Sequence, residues 1–197
     1  MSTAPVHVLA VSASLGKTSA VRSLIKTVAG RLEAAGATVD HLDLLEEPLP
    51  LFNPDFAYSA PEYPKWKARV DRADVLLLGT PDYHGCMSSA LKNFLDHFWQ
   101  EYAGKLFVSV IASYDKGLTV ADQIRTAARQ CYAWSLPYAV TFAEKADMKD
   151  GQITSDALAA RVEMLVHDVR VYGALLAKQR LEDLAGTAPG FLARLRK

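Results

Sequence analysis

The chain has 197 residues, 22 Lys+Arg against 22 Asp+Glu, and therefore no formal net charge. Half of it is hydrophobic and 22% is charged, which excludes an intrinsically disordered chain and lacks the basic excess of a nucleic-acid binder. The length suits one domain. Two cysteines, Cys86 and Cys131, with no C-x-x-C pair, are too few for a disulfide scaffold and suit a reducing cytosol. The N-terminus shows no basic segment before a long apolar run, and no apolar run has the length of a membrane span, so the expectation is a cytoplasmic protein off the membrane.

Short β-type runs alternate with segments of helical period. The runs are Val6–Val11, Ala37–Leu44, Val75–Thr80, Leu106–Ser113 and Tyr138–Ala143. Val75-Leu-Leu-Leu-Gly79 is apolar on both faces, as a central parallel strand covered on both sides must be. Val21, Leu24, Ile25, Val28 and Leu32 recur at helical spacing, and Gly36 ends that helix. A second periodic stretch runs from Met87 through Leu91, Phe94, Leu95, Phe98 and Trp99 to Tyr102, a third from Val120 to Cys131, and a last long one from Leu158 to Leu176. The segment Glu46–Pro64, with its prolines, reads as a long surface connection. Five strands alternating with helices predict an α/β fold with right-handed crossovers: a flavodoxin-like three-layer sandwich around a five-stranded parallel sheet in the order 2-1-3-4-5. Residues 1–180 are expected to form the domain. Residues 181–197, ending in Arg194, Arg196 and Lys197, are expected to lie loosely or on a partner subunit.

Ligands in such sheets bind beyond the carboxyl ends of the strands where the order reverses. That rule points to three loops. The first, Ser12-Ala-Ser-Leu-Gly-Lys-Thr-Ser19, opens a helix with four hydroxyl groups and a lysine, which suits a phosphate at free N–H groups; a helix cap from Thr18 or Ser19 is the plain alternative. Gly16-Lys17-Thr18 also looks like the end of a P-loop, with Asp82-Tyr-His-Gly85 and Glu144-Lys-Ala-Asp147 as degenerate GTPase motifs. Val11, however, stands where the first P-loop glycine is required.

The second loop continues as Thr80-Pro-Asp-Tyr-His-Gly-Cys-Met-Ser-Ser-Ala-Leu-Lys-Asn-Phe-Leu-Asp96. This run resembles the motif T-P-E-Y-x-G-S-x-x-G-x-L-K-N-x-x-D of the NADPH-dependent FMN reductase family. Pro81, Tyr83, Gly85, Leu91, Lys92, Asn93 and Asp96 match it, and Asp82 stands for the usual Glu. The likeness extends to Gln123-Ile-Arg-Thr126 and Trp134-Ser-Leu-Pro137.

The resemblance implies an FMN-dependent oxidoreductase using NADPH or NADH and a small-molecule electron acceptor: a quinone, a free flavin, an azo compound or similar. It implies that Pro81, Asp82, Tyr83, His84 and Gly85 lie along the isoalloxazine, and that Ser12, Ser14, Lys17, Thr18 and Ser19 hold the phosphate. Ser113, Tyr114, Asp115, Lys116 and Gly117 form the third loop, where the family has a glycine pair and this chain keeps only Gly117. In the first loop Gly16 replaces the family's phosphate-clamping Arg, beside Lys17, whose point charge makes no bidentate fork. Lys17, Arg22 and Lys116 do not single out a 2′-phosphate site. No residue stands out as a side-chain catalyst, and His84 has no second ligand at metal spacing. Family members commonly dimerise around the helix of Phe94 and Trp99, so a homodimer or homotetramer is expected. The alternatives are a P-loop-like nucleotide hydrolase or kinase, or a flavodoxin-like electron carrier without turnover of its own.

Overall fold

A computed structural model describes residues 5–196; Lys197, assigned above to the tail, lies outside them. The chain runs β1 (His7–Ser12), α1 (Ala20–Ala34), β2 (Thr38–Asp43), α2 (Tyr63–Arg72), β3 (Val75–Tyr83), β4 (Cys86–Met87), α3 (Ser89–Asp96), β5 (Leu106–Ala112), α4 (Leu118–Gln130), β6 (Trp134–Ser135), β7 (Val140–Phe142), α5 (Glu144–Asp147), β8 (Met148–Lys149), β9 (Gln152–Ile153) and α6 (Asp156–Ala185). The main sheet has the order β2-β1-β3-β5, and both β6 and β7 lie along the far side of β5. All of these pairings are parallel, with Val8 opposite Val39 and Val75, and Leu76 opposite Phe107. This is the predicted flavodoxin-like order, except that the fifth strand is in two pieces. Proline fixes φ and has no N–H to donate, and Pro137 falls between the two pieces.

Side chains on a strand alternate between faces, and the core follows that period. Val8, Ala10, Val75, Leu77, Val108 and Val110 face α1 and α6; Leu9, Val11, Leu76, Leu78, Phe107 and Ile111 face α2, α3 and α4. A side chain at Gly79 would collide with Ile25, so the glycine lets α1 seat closely over the end of β3. That contact places the first turn of α1 beside the carboxyl ends of β1 and β3.

Several segments depart from the expected pattern. The stretch Met87–Tyr102 is not one helix. Residues 86–87 pair back on β3, α3 stops at Asp96, and a short 3-10 turn at Gln100–Tyr102 completes the run. Phe94, Phe98 and Tyr102 are nonetheless buried, whereas Trp99 is half exposed. Glu46–Pro64, expected to have no regular structure, is a connection only in part: Ala57–Ser59 forms a 3-10 turn and Tyr63 and Pro64 open α2. Asn93 holds its first half, accepting from the Phe52 N–H at 2.7 Å and donating to the Pro50 carbonyl at 2.9 Å. The tail does not lie loose. Leu192 is buried, Phe191 stacks on Tyr132, and the Arg194 guanidinium lies 3.8 Å from the Tyr132 ring centroid. These apolar and cation–π contacts outweigh the tail's charge as a guide to where it goes.

Candidate functional site

A cleft of about 230 Å³ opens at the carboxyl ends of β1, β3 and β5. Of the fifteen residues expected there, Ser14, Thr18, Ser19, Pro81, Asp82, Tyr83, Ser113 and Tyr114 line it. Lys17, His84, Asp115 and Lys116 are exposed on the same loops without lining it, and Gly85 and Gly117 shape the turns behind. Ser12 is placed elsewhere. It is the last residue of β1, fully buried, with its hydroxyl 3.0 Å from His41 Nε2. Glu144, at the start of α5 beyond β7, is a lining residue that the three-loop rule did not reach. The end of the fifth strand would have pointed to it.

The first loop is held by Arg22, from the first turn of α1. Its guanidinium pairs with Asp43 at the end of β2 and donates to the carbonyls of Ser14 and Gly16, each at 2.8 Å, and of Lys17 at 3.2 Å. Three of the loop's carbonyls are thereby occupied. Its donors are not: the backbone N–H groups from Gly16 through Val21 have no acceptor among the described residues. Ser19 caps the helix, its hydroxyl accepting the Arg22 N–H at 3.3 Å. The hydroxyls of Ser14 and Thr18 make no such bond and stand on the cleft. Unspent N–H groups at a helix N-terminus, with two unspent hydroxyls, form a donor set that fits a phosphate.

The second loop is a tight hairpin. β3 extends to Tyr83 and pairs with β4 through Asp82–Met87 and Tyr83–Cys86, leaving His84 and Gly85 as a two-residue turn at φ 57° and 76°. Both left-handed positions are what a type I′ turn requires. Four side-chain bonds fasten it. Asp82 accepts from the Gly85 N–H at 2.8 Å and from the Ser113 hydroxyl at 2.7 Å, which links the hairpin to the third loop. Gln123 on α4 accepts from the Met87 N–H at 3.0 Å and donates to the Gly85 carbonyl at 3.3 Å. Lys116 and Gly117 are also left-handed, and a side chain at Gly117 would crowd Ile111. The result is a rigid floor with two exposed aromatic rings, Tyr83 and Tyr114, at its mouth. Flat apolar surfaces beside a polar, N–H-rich pocket suit a planar heteroaromatic group carrying a phosphate tail.

The profile of the NADPH-dependent FMN reductase family matches residues 6–147, which carry all three loops. The chain belongs to the NADPH-dependent FMN reductase family. An FMN-dependent NADPH-azoreductase of Staphylococcus haemolyticus is 36% identical over 52% of this chain, an alignment that spans 56% of that relative. An NADH-dependent FMN reductase of Pseudomonas putida is 29% identical over 81% of this chain and 88% of its own. Among solved structures, a flavoenzyme NAD(P)H:acceptor oxidoreductase of Paracoccus denitrificans superposes with a TM-score of 0.70 at 21% identity, covering 87% of this chain and 97% of that one. Members of the FMN reductase family are FMN-dependent NAD(P)H oxidoreductases, and the donor set of the cleft fits that cofactor. Membership decides against the P-loop reading of Gly16-Lys17-Thr18. Asp82, the first residue of the GTPase-like D-x-x-G, serves here to tie two loops together.

Proposed function

We propose that this protein is an FMN-dependent NAD(P)H oxidoreductase that reduces a small planar acceptor, such as a quinone, a free flavin or an azo compound. The observation that carries the reading is the first loop, where Arg22 takes the carbonyls of Ser14, Gly16 and Lys17 and the N–H groups are left for an anion. Ser14, Thr18 and the N–H groups of Gly16–Val21 would hold the phosphate. Pro81–Gly85 and Ser113–Gly117 would carry the isoalloxazine. Bound FMN would supply the redox chemistry, taking a hydride equivalent from the nicotinamide and passing two electrons to the acceptor.

The chain's own part is to bind, orient and shield. Asp82 and Gln123 keep the hairpin flat and fixed, so its backbone meets the ring without reorganising. Tyr83 and Tyr114 border the opening, where nicotinamide and acceptor would take turns, which predicts ping-pong kinetics. No side chain is needed as nucleophile. The choice between NADH and NADPH falls to exposed groups such as Lys17 and Lys116. Arg22 takes no part in it, because its donors are already engaged.

We further infer a homodimer or homotetramer in the cytoplasm. An apolar groove of about 670 Å³ lies between α3 and α4, lined by Met87, Leu95, Phe107, Ala127 and Cys131 among others, and a second copy would cover it. Both thiols are free, in keeping with a reducing compartment. Among the described residues no helix is long and apolar enough to cross a membrane.

Titration of the purified protein with FMN, followed by flavin fluorescence, tests the binding. Stoichiometric quenching and a yellow protein are expected, and a protein that leaves FMN fluorescence unchanged contradicts the proposal. The electron-carrier alternative is separated by adding NADPH, which a carrier without turnover would not oxidise.

A further inference from the structure

We propose that Arg22 is the positioning residue of the first loop: it binds no anion itself but sets the orientation by which the loop distinguishes FMN from flavin without a phosphate. The inference rests on the reading of that loop as the phosphate site. A guanidinium carries five N–H donors, and here all five are used. Nε and one Nη2 donor go to the Asp43 carboxylate, the other Nη2 donor to the Ser14 carbonyl, and the two Nη1 donors to the carbonyls of Gly16 and Lys17. Nothing on Arg22 remains to reach a phosphate.

The consequence for the loop follows from peptide geometry. In a trans peptide a carbonyl and the next N–H point in opposite directions, and the chain has no cis bond among its described residues. Fixing the carbonyls of Ser14, Gly16 and Lys17 on one guanidinium therefore turns the N–H groups of Leu15, Lys17 and Thr18 to the other side of the loop. Asp43 makes the brace rigid and nearly neutral. It sits at the end of β2, mostly buried, and also accepts from the Leu45 N–H at 3.1 Å. The brace thus spans two strand ends and α1. Its charge is compensated, so its effect on an anion comes from the arrangement it imposes. Gly16, within the loop, has no side chain to add, and Lys17 is exposed.

The test is the affinity of the apoprotein for FMN and for riboflavin, read by fluorescence quenching, in wild type, Arg22→Ala, Arg22→Lys and Asp43→Asn, each checked by thermal melting. Arg22→Ala is expected to lower FMN affinity by about 10- to 100-fold, the range of one or two hydrogen bonds to a charged group, with riboflavin affinity unchanged. Arg22→Lys keeps the charge but cannot span three carbonyls and a carboxylate, so it is expected to behave like Ala. Asp43→Asn, which keeps the shape, is expected to lower FMN affinity in the same direction by less, and it carries the test if the Arg22 variants do not fold. A wild-type FMN-to-riboflavin ratio in the variants, or recovery of FMN affinity by Lys, overturns the proposal while leaving FMN binding intact. Wild-type protein that binds neither flavin overturns the underlying reading instead.

Discussion

Glu144 is an exposed carboxylate on a cleft whose other acidic lining residue, Asp82, is already engaged by two donors. A phosphate placed among the first-loop N–H groups shares that cleft with Glu144, and like charges repel even when partly screened. Glu144→Gln is expected to tighten FMN by about two- to fivefold at low salt, with the gain shrinking as ionic strength rises; equilibrium titration at two salt concentrations checks it. Thr18→Val removes an unspent hydroxyl without touching the helix cap, which belongs to Ser19. Loss of one hydrogen bond to an anion corresponds to FMN binding weaker by about tenfold, measured by the same titration. Single residues were also where the sequence misled. Ser12 looks like one more hydroxyl of a phosphate loop, but β1 runs one residue further than its apolar run. Register opposite Asp43 and Gly79 then turns Ser12 into the core, with His41 as its partner. Burial keeps His41 below the usual histidine range, so it meets Ser12 as a neutral ring near neutral pH.

The strands and most helices were legible because burial leaves a pattern: short unbroken apolar runs along β1, β3 and β5, which are covered on both faces, and a period of 3.6 along α1, α4 and α6. Elements with little burial were not. α2 buries only Trp66 and Val70 in a highly charged stretch, too few residues to show a period. The β3–β4 hairpin lacks the Asn-Gly or Asp-Gly that announces a type I′ turn; His84 takes the first left-handed position instead. The fasteners of that hairpin come from distant sequence, Gln123 on α4 and Ser113 after β5, and no local pattern reveals such pairings. Gln123→Ala leaves the Met87 N–H without its partner and frees the hairpin to move. The hairpin should then exchange its amide hydrogens faster, with FMN bound several-fold more weakly and melting temperature little changed. Hydrogen exchange across residues 82–88 together with the FMN titration measures this.

Across the whole molecule, the far end of the sheet is closed by a different device. Lys105, just before β5, is almost completely buried, and its ammonium donates to the carbonyls of Val70 and Asp71. Burial, with Arg180 nearby, holds its pKa down to about 7, against 10.5 for a free lysine. Between those values the unfolded chain binds a proton that the folded chain does not, so this residue makes stability rise with pH from about 7 upward. The rise is opposed above pH 9, where Cys131, whose thiol burial pushes up, ionises more readily in the unfolded chain. Denaturant melts at pH 7 and pH 9 should show the higher midpoint at pH 9, and Lys105→Met should remove the difference. The tail that covers this end was expected to lie loosely or on a partner subunit. Its aromatic and aliphatic residues, Phe191 and Leu192, decide its place, and Arg194 follows them onto Tyr132. The central claim concerns the opposite end, where zero net charge hides a local donor set built for an anion. The most direct test is anaerobic mixing of the FMN-loaded protein with NADPH or NADH in a stopped-flow instrument. The account predicts that the visible flavin band bleaches far faster than free FMN does under the same conditions, and that adding a quinone restores it. Bleaching no faster than free FMN with either nicotinamide would contradict it.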